Sequence, residues 1–370
     1  MPDTARQLSR PRPFSGSYLE TACLFDAACP GFLNRVFYAS NLRRAAIFAA
    51  LAEIKLDGID KAVSRLRSLA PTFCDPHLDI WAQGARALLT LRAREVIQAF
   101  YGSVPDGFLG LLARVGAGPL PRGIYRLAHG LYADPQHRQR SKLLRQMPGR
   151  ISADMIETAA RLDPVLLHHH VLQRVHDLRQ VETVNAALAL IRALVPLAND
   201  EALHRSLNGL GVSDKDMARW IERWLRRATR LPYAPPIPAN DPDLCVLIGL
   251  DLVGLGRRFH NCGADRAGHV AAGLRCYLEW VGEGGPAVIE LRRLSGGHFL
   301  VEDMRGPRNA DLDPVLVERI RAKLSTFGIL SPIGIPPTIG GSALLNLLGV
   351  WTGEEGEADP FLADLLKEAA

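Results

Sequence analysis

The sequence predicts an α+β protein, in which an irregular helical N-terminal domain precedes a small α+β domain with a three-stranded antiparallel sheet. Three observations lead to this prediction. Apolar residues recur at helical spacing over about 36–230, prolines crowd 231–243, and three runs within 274–304 alternate like strands. We expect five segments: an N-terminal extension 1–35, a helical domain 36–230, a Pro-rich linker 231–243, the α+β domain 244–330, and a loop with an acidic tail 331–370.

The composition indicates a globular chain. Of its 370 residues 48% are hydrophobic, which is enough to build two cores. No run approaches the roughly 18 apolar residues of a membrane helix, and the first residues lack the apolar stretch of a secretory signal. We therefore expect a cytoplasmic protein that does not enter a membrane. Its six cysteines are too sparse for a disulfide scaffold and are expected to be free thiols.

The charge permits an acidic partner but does not identify one. The formal net charge is +5, a mild excess for a dedicated nucleic-acid binder. The 44 basic residues comprise 38 arginines and 6 lysines. This arginine excess is compatible with guanidinium groups that bind phosphates and equally with a bias in composition.

The helical domain divides at its Pro and Gly residues. A first amphipathic helix, "RAAIFAALAEI", ends near "KLDG", and a long helix over 79–101 is expected to close at Gly102. Asp163 and Pro164 have the residue types of an N-cap and a first helical position, so they predict a helix through "VLLHHHVLQRVHDLRQ". A further helix is expected to stop at "PLAND".

The best-defined helix is "SDKDMARWIERWLRRATR", which Ser213 or Asp214 can cap. One face carries an apolar stripe at helical spacing: Met217, Trp220, Ile221, Trp224 and Leu225. The other faces carry five arginines: Arg219, Arg223, Arg226, Arg227 and Arg230. A basic helix of this kind either lies on an acidic partner such as nucleic acid or presents an ordinary solvated face.

Three consecutive histidines, at 168–170, are the most conspicuous candidate metal ligands in this half. Consecutive side chains on a helix point in three directions, which disfavours a shared metal ion. His169 and His176 share a face, but two turns separate them. We expect these histidines to serve in surface or interface packing.

The second domain begins with "LCVLIGLDLVGLGRRF", interpreted as a largely buried helix, and a short helix that ends at Gly273. The strand candidates "LRCYLEWV", "AVIELRRL" and "HFLVEDM" are separated by "GEGG" and "SGG", which favour hairpins. Alternation places Ala287, Ile289 and Leu291 on one face. Asp313 and Pro314 then begin a closing helix, whose inner stripe is Val317, Ile320, Leu324 and Phe327.

Several short motifs here resemble the C-terminal region of the PcfJ-like proteins of bacterial plasmids and other mobile elements. The resemblance covers roughly residues 244–328. The matching residues are Leu255, Gly256, His260, Cys262, Glu290, Arg305, Gly306 and Asn309. Two departures are Gly263–Asp265 where the family usually has Val and then Tyr, and Asp303 where Gln is usual. The resemblance implies an accessory protein of a mobile element and no defined reaction.

The stretch "RRFHNCG" suggests two kinds of chemistry. His260, Cys262, His269 and Cys276 are zinc ligand types, but the His-x-Cys spacing disfavours a shared ion, so we predict no metal and no cofactor. A catalytic site would use Cys262 as nucleophile and His260 or His298 as base, with Asp303 or Glu302 orienting the base. A pocket of this kind would also include Glu290, one of the residues of the family resemblance, so the catalytic candidates are His260, Cys262 and Glu290. The alternative is that Cys262 is a small buried residue and His260 lies at a helix end.

The stretch "DMRGPRN" is the candidate ligand-binding loop. Arg305, Arg308 and Asn309, with Asp303 beside them, lie after a strand and before a helix, where a loop can meet a phosphate or nucleic acid. The alternative is structural, with Arg305 and Asn309 bound to carbonyls and carboxylates, including Glu290.

Three functions remain open at this stage. The first is an accessory protein that binds nucleic acid or a DNA-processing protein. The second is a hydrolase or transferase that acts on nucleic acid or a phosphorylated ligand through His260, Cys262, Glu290, Arg305 and Asn309. The third is a scaffold for protein interactions alone. Whether the chain is an enzyme stays open, because none of the familiar phosphate-loop, dinucleotide, zinc-protease or serine-hydrolase motifs is present.

Overall fold

The computed structural model describes residues 10–332 except 212, 214 and 261–265. Helix accounts for 58% of the structure, and a small antiparallel sheet lies in the C-terminal part, so the protein is α+β overall. The chain divides into a helical unit and a sheet unit. Within the described part, the helical unit comprises residues up to Ala234 together with Leu247–Gly273, and the sheet unit comprises Pro235–Val246 and the residues from Leu274 onward.

The helical unit contains sixteen described α-helices. In chain order they are α1 Ser17–Ala28, α2 Phe32–Tyr38, α3 Asn41–Asp57, α4 Ile59–Leu69, α5 Ile80–Thr90, α6 Ala93–Tyr101, α7 Phe108–Arg114, α8 Ile124–Ala133, α9 Arg138–Gln146, α10 Ala153–Arg161, α11 His169–Leu172, α12 Leu178–Leu194, α13 Asp200–Leu207, α14 Lys215–Leu225, α15 Leu250–Phe259 and α16 Ala267–Ala271. Among the described residues, no helix is both long and apolar enough to span a bilayer.

Two helices expected to be continuous are broken. The segment 79–101 forms α5 and α6, because the Arg92 N–H donates to Glu95 at 2.6 Å and starts a new helix there. Gly102 closes α6 in the left-handed conformation, as expected. The second break lies after Asp163, which caps a 3-10 turn rather than a long helix, and His168 is then extended (φ −132°, ψ 143°) before α11. The prediction of one helix through the histidines was therefore wrong.

Helix α14 matches its predicted stripe. Met217, Trp220, Trp224 and Leu225 are buried, and they pack with α12 and α13 into a second apolar cluster of the helical unit. Both indole N–H groups donate to the Ser206 hydroxyl, at 2.8 Å from Trp220 and 3.1 Å from Trp224. The tryptophans therefore belong to the core, and their polar edges are satisfied.

Arg44, on α3, is fully buried in the larger apolar cluster. Its guanidinium donates to the carbonyls of Val36 (2.9 Å) and Phe37 (3.3 Å) in the last turn of α2, and to Ala117 (2.7 and 3.0 Å). Burial lowers the pKa of Arg44, and the neighbouring Arg12 lowers it further. The charge is thus held by the negative end of a helix rather than by a carboxylate.

The sheet unit contains four strands in the order β1 Leu244–Leu247, β2 Arg275–Trp280, β3 Ala287–Arg293 and β4 Phe299–Arg305. The prediction of three strands was wrong, because the start of the segment "LCVLIGLDLVGLGRRF" forms β1 rather than a helix. Gly249 (φ 49°) then turns the chain before α15 begins. Ala287, Ile289 and Leu291 are fully buried on one face, as predicted. Helix α17, Pro314–Thr326, starts at the predicted Asp313 cap and buries Ile320 and Leu324.

We expect Arg44→Leu to lower the free energy of unfolding by about 3 kcal/mol. The substitution removes the guanidinium hydrogen bonds to the carbonyls of Val36, Phe37 and Ala117, and a hydrogen bond from a charged group contributes about 1.5–3 kcal/mol. Val36 and Phe37 keep backbone donors, whereas the Ala117 carbonyl loses Arg44 as its donor. Chemical denaturation measures the change. Arg35→Leu, at an exposed position on α2, is the control and is expected to stay within about 0.5 kcal/mol of the wild type. Equal effects of the two substitutions would refute a structural role for the Arg44 contacts.

Candidate functional site

The candidate ligand-binding loop follows β4 and forms a tight turn. Arg308 (φ 60°, ψ 29°) and Asn309 (φ 57°) are both left-handed, as in a type I′ turn. The turn is closed by the Ala310 N–H, which donates to the Pro307 carbonyl at 3.2 Å, and by the Gly306 N–H, which donates to the Ala310 carbonyl at 2.8 Å. The loop is therefore a fixed platform rather than an open chain.

Arg308 and Asn309 are exposed at the tip of this turn. Within the part of the chain that the structure describes, no hydrogen bond or ion pair engages either side chain. A left-handed arginine costs about 1 kcal/mol relative to glycine, since its Cβ is crowded by the backbone. The described residues place only one other non-glycine residue in this conformation, His260 (φ 51°). All three strained positions thus fall in motifs that the sequence singles out.

Arg305 and Asp303 form an ion pair with each other. The Arg305 Nε lies 3.0 Å from Asp303 Oδ1, and Nη1 contacts Asp311 at the far side of the turn. This arrangement favours the structural alternative for Arg305, with Asp311 as partner in place of Glu290. The ion pairs brace the turn and leave Arg308 as its free cation among the described contacts.

Glu290 lies on the face of β3 opposite Ile289, in a network of charges across three strands. Arg275 Nη1 of β2 lies 3.1 Å from Glu290 Oε1 and also contacts Glu302 of β4, which binds Arg292 as well. The side chains of Arg275 and Glu290 are less than a quarter exposed. A carboxylate held in this way ties the strands together, and Glu302 is equally engaged, so neither is free to orient a histidine.

The other residues of the proposed catalytic and zinc sites are distributed between the two units. His260 ends α15 in the helical unit and is exposed, and its backbone N–H donates to the Gly256 carbonyl. Cys262 lies outside the described residues. His269, on α16, belongs to the helical unit, whereas Cys276 is fully buried on β2 in the sheet unit. No group of three or more His, Cys, Asp or Glu residues in the described part could hold a metal ion.

The arginines of the α14 segment differ in their partners. Arg219 pairs with Asp216 at 3.4 Å, and Arg226 pairs with Glu222 at 2.6 Å. The remaining three are exposed and lie in no ion pair that the described residues show: Arg223, Arg227 and Arg230. The Arg227 guanidinium lies 5.1 Å from the centroid of the Trp224 ring, in cation–π contact.

The three consecutive histidines come together rather than pointing apart. Because His168 is extended and caps α11, its ring lies 4.4 Å from that of His169, which lies 4.0 Å from the ring of His170. His204 of α13 joins them, 6.0 Å from His168. The sequence gives no sign of His204, because it is 34 or more positions away and its neighbours carry no motif.

We expect Arg308→Gly to raise the free energy of unfolding by about 0.5–1 kcal/mol, because glycine adopts the left-handed conformation without strain. Thermal and chemical denaturation measure the change. Arg319→Gly, at a helical position of α17, is the matched control and is expected to lower stability by about 1 kcal/mol. A loss of stability in Arg308→Gly would show that the Arg308 side chain stabilises the turn.

The comparisons with known proteins place this chain in no family. No family model, no curated protein and no solved structure matches it. The resemblance to the PcfJ-like proteins therefore rests on the motif residues named above and stays a prediction.

Proposed function

We propose that this chain is a PcfJ-like accessory protein of a bacterial mobile element and that it binds nucleic acid through the α14 segment. One observation carries the proposal: Arg223, Arg227 and Arg230 are exposed and have no carboxylate partner among the described residues, and Arg223 and Arg227 line one small pocket with the core residue Trp224. Cations of this kind bind phosphates and release counterions.

The positions of Arg223 and Arg227 suit a phosphate backbone. Arg223 lies in the last turn of α14, Arg227 lies two residues after the helix, and both side chains line one small pocket with Trp220 and Trp224. The Arg227 guanidinium lies 5.1 Å from the centroid of the Trp224 ring, and the residue is exposed, so its N–H groups can reach a phosphate. Arg226 and Arg219, which have acidic partners, contribute less net charge to this surface.

The turn at Arg308, in the sheet unit, is a separate candidate contact for nucleic acid. A rigid turn that presents a guanidinium and an amide pays little ordering entropy on binding. The same two groups are suited to base edges and phosphates. The left-handed strain at Arg308 supports this role, since a turn selected only for stability would favour Gly or Asn there.

The alternative of a hydrolase or transferase receives less support from the geometry. Glu290 and Arg305 are held in ion pairs, so they are poorly placed to move protons or to bind an incoming phosphate. Within the described residues, binding chemistry is better supported than catalysis.

The test is binding of the purified chain to single- and double-stranded DNA and RNA over a salt series. We expect R223A/R227A/R230A to reduce the slope of log K against log salt by up to about 3 and to weaken binding at least tenfold, since each phosphate contact contributes about 0.9 to the slope on duplex DNA. R35A/R94A/R179A is the control, because it removes three exposed arginines of the helical unit and the same net charge.

Comparison of the two triple variants distinguishes binding at the α14 segment from binding driven by the net charge of the chain. If both lose affinity equally, net charge alone drives binding and the proposal fails for α14. A wild-type chain that binds no nucleic acid at low salt would overturn the proposal entirely. Arg308→Asn, which keeps a polar side chain suited to the left-handed conformation, tests the turn separately and is expected to weaken binding without loss of stability.

A further inference from the structure

A cleft of about 560 Å³ beside the histidines is a feature of the helical unit that the preceding function leaves unused. Its size lies within the range of small-molecule sites. One face of α9, the turn after Asp163 and the start of α13 form its walls. The lining residues are Gln139, Lys142, Leu143, Gln146, Pro164, Val165, Leu167, His168, His169, Asp200 and His204.

Two of the imidazoles are oriented by hydrogen bonds. His204 Nδ1 lies 2.9 Å from the Val165 carbonyl, so Nδ1 carries the proton and Nε2 remains an acceptor. His168 Nδ1 accepts from the His170 N–H at 3.3 Å, so its Nε2 donates to Asn208 Oδ1 at 3.2 Å. His168 is buried and serves to position the turn, whereas His169 and His204 are exposed in the cleft.

The charge of the cleft is unbalanced toward cations. Lys142 on α9 is exposed and lies in no ion pair among the described residues. Asp200, the carboxylate that lines the cleft, accepts hydrogen bonds from Arg192 Nε and Nη2 at 3.0 and 2.7 Å. The titratable and charged groups around the cluster are Lys142, Asp163, His168, His169, His170, Arg174, Arg192, Asp200, Glu201, His204 and Arg205.

Burial and neighbouring charges lower the pKa of two histidines of the cluster. Burial lowers the pKa of His168, and the nearby His169, His170 and His204 lower it further, against a raising effect of Asn208. Burial likewise lowers the pKa of His170, together with His169 and Arg174. A bound dianion favours the protonated form of an imidazole that faces it.

We propose that this cleft binds a phosphomonoester of nucleotide size, with the phosphate between Lys142 and the exposed imidazoles of His169 and His204. An ammonium and two carboxamides offer separate donors, and the imidazoles add donors when protonated, with His204 then donating through Nε2; this set suits the oxygens of a phosphate. A planar carboxylate is better matched by an arginine fork, and the described residues that line the cleft include no arginine. The apolar wall of Leu143, Val165 and Leu167 suits a base or another ring.

The test is calorimetric titration of the full chain with AMP, adenosine, inorganic phosphate and a 5′-phosphorylated oligonucleotide. We expect AMP to bind at least tenfold more tightly than adenosine, and Lys142→Ala to weaken AMP binding by about tenfold or more, the usual loss for a charged hydrogen bond. The oligonucleotide identifies the source of the phosphate. If it binds more tightly than AMP and loses that affinity in Lys142→Ala, the ligand is a nucleic-acid end that uses the same site.

Protonation provides an independent readout. His204→Asn keeps a donor for the Val165 carbonyl but removes Nε2, so we expect weaker AMP binding and a smaller proton uptake, measured at one pH in two buffers of different ionisation enthalpy. Because the phosphate itself titrates near pH 6, the comparison is between variant and wild type at the same pH. Lys61→Ala and His77→Asn, at exposed positions outside the cleft, are the controls.

Three results would overturn the site: equal binding of adenosine and AMP, no binding of AMP at millimolar concentration, or AMP affinity unchanged in both Lys142→Ala and His204→Asn. The site does not rest on the nucleic-acid proposal. The α14 triple variant is expected to retain AMP binding, and the cleft variants are expected to retain duplex binding, so the two proposals fail separately.

Discussion

Guanidinium groups that bind the carbonyls at helix C-termini hold the helical unit together. Arg44 is the buried case, and other arginines repeat the arrangement near the surface. Each donates to carbonyls at or just beyond the end of another helix: Arg12 after α2, Arg43 after α5, Arg114 after α9 and Arg140 in α10. A helix end leaves its last carbonyls without intrahelical donors, and one planar fork can satisfy two of them at once. A unit built from short helices has many such ends, so it uses many guanidinium groups to satisfy their carbonyls.

This use of arginine changes what the basic composition means. An arginine bound to carbonyls keeps its charge, but its N–H groups are occupied and its position is fixed by the fold. The arginines available to a ligand are therefore far fewer than the 44 basic residues suggest. Arg223, Arg227, Arg230 and Arg308 lack such partners among the described contacts, as do other exposed arginines such as Arg35, Arg94 and Arg179. Arg223 and Arg227 additionally line one pocket with Trp224. Whether the N–H groups of an arginine are already hydrogen-bonded within the fold therefore says more about its availability to a ligand than the total charge does.

Sequence periodicity predicted those elements whose burial is encoded locally. The stripe of α14, the inner face of β3 and the Asp313 cap all depend on neighbours within one turn or one strand. The failures depend on contacts that are distant or on competing caps. The break before α6 needs Glu95 to satisfy the Arg92 N–H, and the break at His168 needs the extended backbone that precedes α11. The start of β1 reads as an apolar helix because a short strand and a buried helix share the same composition.

In the candidate site, too, the sequence identified residues of local motifs but not their distant partners. The motif residues Arg308 and Asn309 were identified from sequence, but the partners of Arg305 and Glu290 were not, since Asp311 and Arg275 follow from the turn geometry and the strand register. Lys142 and His204 are more than 60 positions apart in the sequence. They line the same cleft because α9, α13 and the turn after Asp163 form its walls. The extended backbone at His168 interrupts the expected helix, and this interruption brings the imidazole rings together. A continuous helix there would have pointed the three rings in different directions, so a local departure from helical geometry brings the imidazoles together beside the cleft.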